Sequence, residues 1–235
     1  MLVPIDVSEP ASYDSTLLDA IPSSNVVLLG YWPIPDQSSA AQLRDQFGDE
    51  ADSRLQDVAN RLDARALDVR TRLAFIKDRT RTIDGAANEY DCGSVLFPGT
   101  GPVSDPLRVL VLIKPDADLD RLAETVGVLF ADTDAEILLF HAVETDHEPL
   151  YDATEYMLRG LADRIRELGL DADRLDYEQT TDGERLDVIA DRTVGFDVVV
   201  SSETEPTVRE RIFGSVQSRL VDGTDASVLT VRVGR

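Results

Sequence analysis

The sequence predicts an α/β protein made of two open, mostly parallel, doubly wound sheets. Three observations carry that expectation. Short runs of branched aliphatics (Val26–Leu29, Val109–Ile113, Ile137–Phe140, Val198–Val200) are continuous rather than alternating, as in parallel strands covered on both faces. The stretches between them carry apolar residues at intervals of three and four, the spacing of a helix with one buried face. The same strand–helix order also occurs twice, which makes the chain a tandem with right-handed crossovers.

The first repeat spans residues 1–98. Leu2-Val3-Pro4-Ile5-Asp6 is its opening strand and Asn25-Val26-Val27-Leu28-Leu29 its second. Leu43, Phe47, Ala51, Leu55, Val58 and Leu62 then fall on one face of a long helix, followed by a third strand around Val69–Ile76, a short helix and a fourth strand at Val95–Phe97. The Pro- and Gly-rich residues 99–106 read as a linker. The second repeat, 107–235, opens with Arg108–Lys114. Its first helix carries Leu119, Leu122, Val126 and Leu129, and its second strand is Glu136–Phe140. Its long helix carries Met157, Leu161, Ile165 and Leu168, with Gly169 as C-cap, and leads to strands at Leu175–Thr180 and Val198–Ser201. It then adds what the first repeat lacks: a helix from about Arg209 to Val221, a turn at Asp222-Gly223 and a last strand, Ser227–Val233.

Composition narrows the function. The 235 residues hold 45 Asp and Glu against 23 Lys and Arg, a net charge of −22, and 43% are hydrophobic, enough for a packed core. Such an acidic excess repels nucleic-acid phosphates, and no basic or aromatic stripe offsets it, so no nucleic-acid partner is expected. No apolar run approaches the roughly 20 residues that span a bilayer. The amino terminus also lacks the pattern of a signal peptide, so a cytoplasmic protein without membrane insertion is expected. Cys92 is the only cysteine and His141 and His147 the only histidines, which argues against an intrachain disulfide or a metal site. Lysine occurs only at Lys77 and Lys114. An acidic, lysine-poor surface suits a salt-rich, halophilic cytoplasm, because at about 1 M salt the Debye length falls to about 3 Å and self-repulsion is screened.

The second repeat resembles the universal stress protein family, an adenine nucleotide alpha-hydrolase-like fold. Members open with a strand ending in Asp and carry Gly-x-x-Gly-x9-Gly-Ser/Thr after the fourth strand. Gly214-Ser215 keeps the last element, followed by Val216, while Ser201 and Thr204 stand at the two earlier glycine positions. The first repeat fits through its fourth strand, with Asp6 at the opening aspartate and Gly99-Thr100 where the loop begins. In members that bind ATP, the resemblance implies that loop amides and the following helix terminus hold the phosphates. Here Ser201 and Thr204 add a Cβ where close approach is needed, and Glu203 and Glu205 would add negative charge. A like charge at about 4 Å costs roughly 4 kcal/mol at an effective dielectric near 20, more than the remaining amides return. Arg209 and Arg211 offset part of this. Lys114 replaces the opening aspartate of the second repeat, a donor in place of an acceptor. Neither repeat holds a complete nucleotide site.

Other residues carry less. His141, at a strand end, reads as structural and His147 as solvated. Cys92, beside Asp91 and Glu89, reads as an inert thiol. Tyr31 and Trp32 either cover a sheet end or offer a partner surface. No Gly-x-Ser-x-Gly elbow or Walker loop is present, so no enzyme activity is expected.

The sequence therefore predicts a stress-response or regulatory module that acts by dimerisation or through a regulated protein partner, with no cofactor and ATP binding lost. A homodimer is expected through the single last strand at Val228, Leu229, Thr230, Val231 and Arg232, an aliphatic edge without an internal mate. The rival is an adenine-nucleotide (ATP or AMP) sensor in the second repeat, with Gly214 and Ser215 on phosphate and Ser201, Thr204 and Arg209 beside them.

Overall fold

The computed structural model describes residues 1–9, 25–63, 68–114, 117–142, 148–180, 185–203, 220–221 and 223–232. The first half contributes β1 (Leu2–Asp6), β2 (Asn25–Pro33), α1 (Ala40–Asp63), β3 (Asp68–Ile76), α2 (Arg79–Glu89) and β4 (Ser94–Phe97). The second contributes β5 (Arg108–Leu112), α3 (Leu119–Phe130), β6 (Glu136–Ala142), α4 (Glu148–Glu167), β7 (Leu175–Thr180), α5 (Arg185–Thr193), β8 (Val198–Ser202) and β9 (Ser227–Val231). No helix among the described residues is long and apolar enough to cross a membrane.

Local signals account for the element ends. Asp78 and Asp118 cap α2 and α3 by accepting from the amides of Arg81 and Arg121. Gly169 closes α4 with φ +106°, a conformation a side chain would strain. The buried face of α1 is Ala51, Leu55, Val58 and Leu62, whereas Leu43 and Phe47 are only half-buried. On α4 the core residues are Leu158, Leu161, Ala162 and Ile165, with Met157 at the margin and Leu168 packing just past the helix end.

The α/β class and the parallel strands match expectation, but the two sheets are one. The nine strands run in the order β3-β2-β1-β4-β9-β8-β5-β6-β7. Read outward from β9, each side gives its fourth, first, second and third strand in turn. All pairs are parallel except β4 with β9, which is antiparallel, with Ser94 opposite Val231 and Phe97 opposite Val228. Two apolar layers, one on each face, run through both halves: Val3, Leu28, Leu96, Val111 and Leu229 share one, while Leu2, Val95, Val199 and Val228 share the other.

This arrangement removes the ground for the expected homodimer through Val228, Leu229, Thr230, Val231 and Arg232. The edge that was to recruit another chain is already filled, because β9 lies between β8 and β4 with ladder partners on both sides. The last strand of the second half stands beside the first half's fourth strand, where the first half has no fifth strand of its own.

Candidate functional site

In an open sheet of this kind, ligand crevices form over the carboxyl ends of the strands where the strand order reverses. Here there are two such places, between β1 and β4 and between β5 and β8.

The first-half crevice is a cleft of about 270 Å³ bordered by Asp6, Tyr31, Arg79, Phe97, Gly99 and Thr100. Asp6 ends β1 as the sequence predicts, but its carboxylate is turned onto its own chain. Oδ1 accepts from the Ser8 amide at 2.9 Å and the Ser8 hydroxyl at 2.6 Å. The Arg79 guanidinium lies over the rings of Tyr31 and Phe97, 5.6 Å from each centroid, and so braces the cleft walls.

The loop after β4 is where phosphate-binding amides would be sought, and the chain itself occupies them. The Gly99 amide donates to Ser227 Oγ at 2.7 Å. The amides of Thr100 and Gly101 both donate to the Asp225 carbonyl, at 3.0 and 2.9 Å. Thr100 Oγ1 adds a hydrogen bond to the Asp225 carboxylate at 3.2 Å. The approach is close enough to require glycine: a Cβ on Gly99 would lie 2.2 Å from the Asp225 carbonyl oxygen. Because β9 runs antiparallel to β4, the turn that enters β9 arrives at the carboxyl end of β4 and lies over this loop. Residues 99–106, read as a linker, are thus seamed to the second half. Further along, Asp197 accepts from the Ser104 amide and hydroxyl, both at 3.0 Å, and from the Arg108 amide at 2.7 Å.

The second-half crevice has a different character. Lys114 follows β5 and is half-buried. The β5–β8 register sets Val111 beside Val200, so Ser201 and Lys114 flank the same strand ends. Ser201 and Thr230 are neighbours in the β8–β9 ladder, both fully buried, and among the described residues neither hydroxyl has a hydrogen-bond partner. Thr204, Arg209, Gly214 and Ser215, with Glu205 and Arg211, lie outside the described residues.

Glu203 departs from expectation. Its amide donates to the Val231 carbonyl at 2.8 Å, and its carboxylate pairs with Arg232, Nε to Oε1 3.4 Å. The Arg232 guanidinium also donates to the Cys92 carbonyl at 3.1 Å and to Asn88 Oδ1 at 2.8 Å, and the Arg232 amide donates to the Gly93 carbonyl at 3.0 Å. The carboxylate expected to repel phosphate instead joins a tie across the seam. Arg232, expected to face a second copy, grips the first half of its own chain. Position on the last strand was the only sequence signal for this role, and it did not distinguish the two partners.

The lesser candidates resolve as follows. His141 is buried, and its Nδ1 donates to the Ile113 carbonyl at 2.8 Å, a structural contact at the β5 end. His147 lies outside the described residues. Trp32 stacks on Phe47 and Phe75 with centroids 4.9 and 5.9 Å away, and Tyr31 is buried, so the pair covers a sheet end. Cys92 is buried, and burial pushes its thiol pKa up, although the charges of the amino terminus and Arg232 pull it down. Among the described residues no group of His, Cys, Asp and Glu is placed to hold a metal ion.

No family model matches the sequence, and no curated protein matches it. Solved structures do. A universal stress protein from Archaeoglobus fulgidus DSM 4304 superposes with a TM-score of 0.63 at 14% identity, covering 99% of this chain and 96% of that one. A putative universal stress protein from Pseudomonas aeruginosa UCBPP-PA14 gives 0.53 at 14% identity, over 98% and 92%. The cytoplasmic domain of a prokaryotic cation chloride cotransporter gives 0.53 at 15%, over 97% and 93%. The chain has the universal stress protein fold.

Proposed function

We propose that this chain is a universal-stress-protein-like regulatory module of the stress response, that it works by associating with a protein partner, and that it has given up nucleotide binding. No catalytic step is assigned to it. The observation that carries the reading is the filled loop after β4, where the amides of Gly99, Thr100 and Gly101 already donate to Ser227 and Asp225. A phosphate would have to displace those acceptors, of which Ser227 is buried, and a buried group left unpaired costs about 1–3 kcal/mol. Lys114 in place of an acidic residue supports the same reading in the second half. Because this fold also occurs as the cytoplasmic domain of a cation chloride cotransporter, a module that serves a membrane partner is one form the proposal takes. The acidic, lysine-poor composition favours a salt-rich cytoplasm as its setting.

A second reading, an ATP or AMP sensor in the second half, draws on one observation. Glu203 is paired with Arg232, which removes part of the repulsion its carboxylate would exert on phosphate. Calorimetry with ATP and with AMP in molar potassium chloride separates the readings. The proposal expects no binding below millimolar concentration. Sub-millimolar affinity abolished by Gly214→Glu would establish the sensor in its place.

A further inference from the structure

We infer that the outer edge of β3 docks an acidic, extended segment of another protein by adding it to the sheet as a tenth strand. The inference rests on the association reading and names its surface.

β3 pairs with β2 at all nine positions from Asp68 to Ile76 and is the outermost strand at its end of the sheet. Its other side has no ladder partner among the described residues, and a free edge of this length is a ready template for an incoming strand. Local charge defines what that strand carries. Between residues 68 and 81, Arg70, Arg72, Lys77, Arg79 and Arg81 stand against Asp68 and Asp78, in a chain where acidic residues outnumber basic ones 45 to 23. Arg70 is exposed, and among the described residues it makes no ion pair. Arg72 is paired with Glu89 on α2, so Arg70 is the charge most available to a newcomer. On the other face of β3, Val69, Leu73 and Phe75 are half-buried against the core and leave an apolar margin for alternate side chains.

The opposite end of the sheet is built differently. β7 has six residues, and Asp176 Oδ1 accepts from the next amide in its own strand, Tyr177, at 3.1 Å. Glu178 is paired with Arg192 at 2.7 Å, and the Arg166 guanidinium reaches the Leu175 carbonyl at 3.5 Å. A donor and two charges at that edge are already engaged, which makes β7 of a second copy a poor partner. Two β3 edges in an antiparallel pair centred on Thr71 would bring Arg70 of each copy against Arg72 of the other, and like charges across a ladder destabilise it. What remains complementary is a strand from a different chain with carboxylates at alternate positions.

The test uses the whole chain in molar potassium chloride and a fluorescein-labelled nine-residue peptide of alternating Glu and Val, with a Lys–Val peptide of equal length beside it. At this salt the Debye length is about 3 Å, so charges farther apart are largely screened and the test reads direct contact pairs. Fluorescence anisotropy is expected to show binding of the Glu–Val peptide and none of the Lys–Val peptide. Arg70→Glu should weaken the former about fivefold, while Arg70→Lys should keep it within about twofold. Amide exchange should slow along residues 69–75 when the Glu–Val peptide is bound. Equal binding of both peptides, indifference to Arg70→Glu, or protection that falls elsewhere would overturn the edge assignment. None of these outcomes bears on nucleotide, so the calorimetry above fails or holds separately.

Discussion

The two strand-end crevices are built on the same topology and have met different fates. In the first half, donors around the loop after β4 are engaged by the turn before β9, and a glycine at residue 99 lets the two backbones touch. In the second half, Ser201 and Thr230 leave two buried hydroxyls without partners among the described residues beside the β8 end. The first crevice is finished as structure; among the described residues, the second keeps two buried hydroxyls unengaged. The difference follows from the missing fifth strand. A first half without its own last helix and strand leaves β4 open, and β9 closes that edge while its preceding turn fills the loop behind it.

That account can be broken at the seam, and the largest effect is expected at Arg232. Its guanidinium and the Glu203 carboxylate are both about six-sevenths buried or more, at 15% and 13% exposure. Arg232→Ala removes hydrogen bonds to Cys92 and Asn88 and the buried ion pair with Glu203, a loss of about 3 kcal/mol. Urea unfolding should show it, and adding Glu203→Gln should recover part. A loss below about 0.5 kcal/mol would mean that the tie is a surface pair of no consequence.

Gly99→Ala comes next. The new methyl would meet the Asp225 carbonyl oxygen at 2.2 Å and the Ser227 amide nitrogen at 2.6 Å, both backbone atoms that cannot swing aside. About 2 kcal/mol of destabilisation is expected, with faster amide exchange at residues 99–101. If stability holds while exchange rises, the turn before β9 has lifted away, and the first crevice opens more readily than the second.

Thr230→Val sharpens the other side. Replacing a buried hydroxyl that has no partner among the described residues by a methyl of the same shape should stabilise the chain by about 1 kcal/mol. Destabilisation instead would show that the hydroxyl has a partner in solution, and would bring the second crevice closer to the first.

Much of this fold was legible in the sequence because continuous aliphatic runs and helical spacing are local signals, and each half repeats them. The join was not. Val228, Leu229 and Val231 read as an aliphatic edge strand in need of a mate, and pattern alone does not say whether the mate is β4 of the same chain or of another. Glu203 was placed beside phosphate by its spacing from Gly214, yet its rotamer is set by Arg232, 29 residues further along. At the first crevice the sequence pointed to Asp6 and Gly99-Thr100, which do border the cleft. It missed Asp225 and Ser227, whose arrival there depends on the direction of β9 and on no motif within the loop.

The smallest expected effect lies at Cys92, just under the seam. Burial raises its thiol pKa above the ordinary value, and Arg232, whose guanidinium holds the Cys92 carbonyl, pulls in the opposite direction without cancelling it. The folded state therefore favours the neutral thiol. This contribution to stability is fully present below the unfolded thiol's pKa, near 8.5, and is lost as pH rises through the folded value. Alkylation by iodoacetamide should be slow at neutral pH in the folded chain and should rise only above the pH at which the urea-unfolded chain already reacts. In Arg232→Ala the Arg232 share of the cationic pull on the thiolate is gone while that of the amino terminus remains, so the reactivity curve should move to higher pH if the cysteine stays buried. If the curve moves lower instead, loss of the tie has opened the β4–β9 seam to water, and the shift reports the exposure of the thiol rather than its electrostatics.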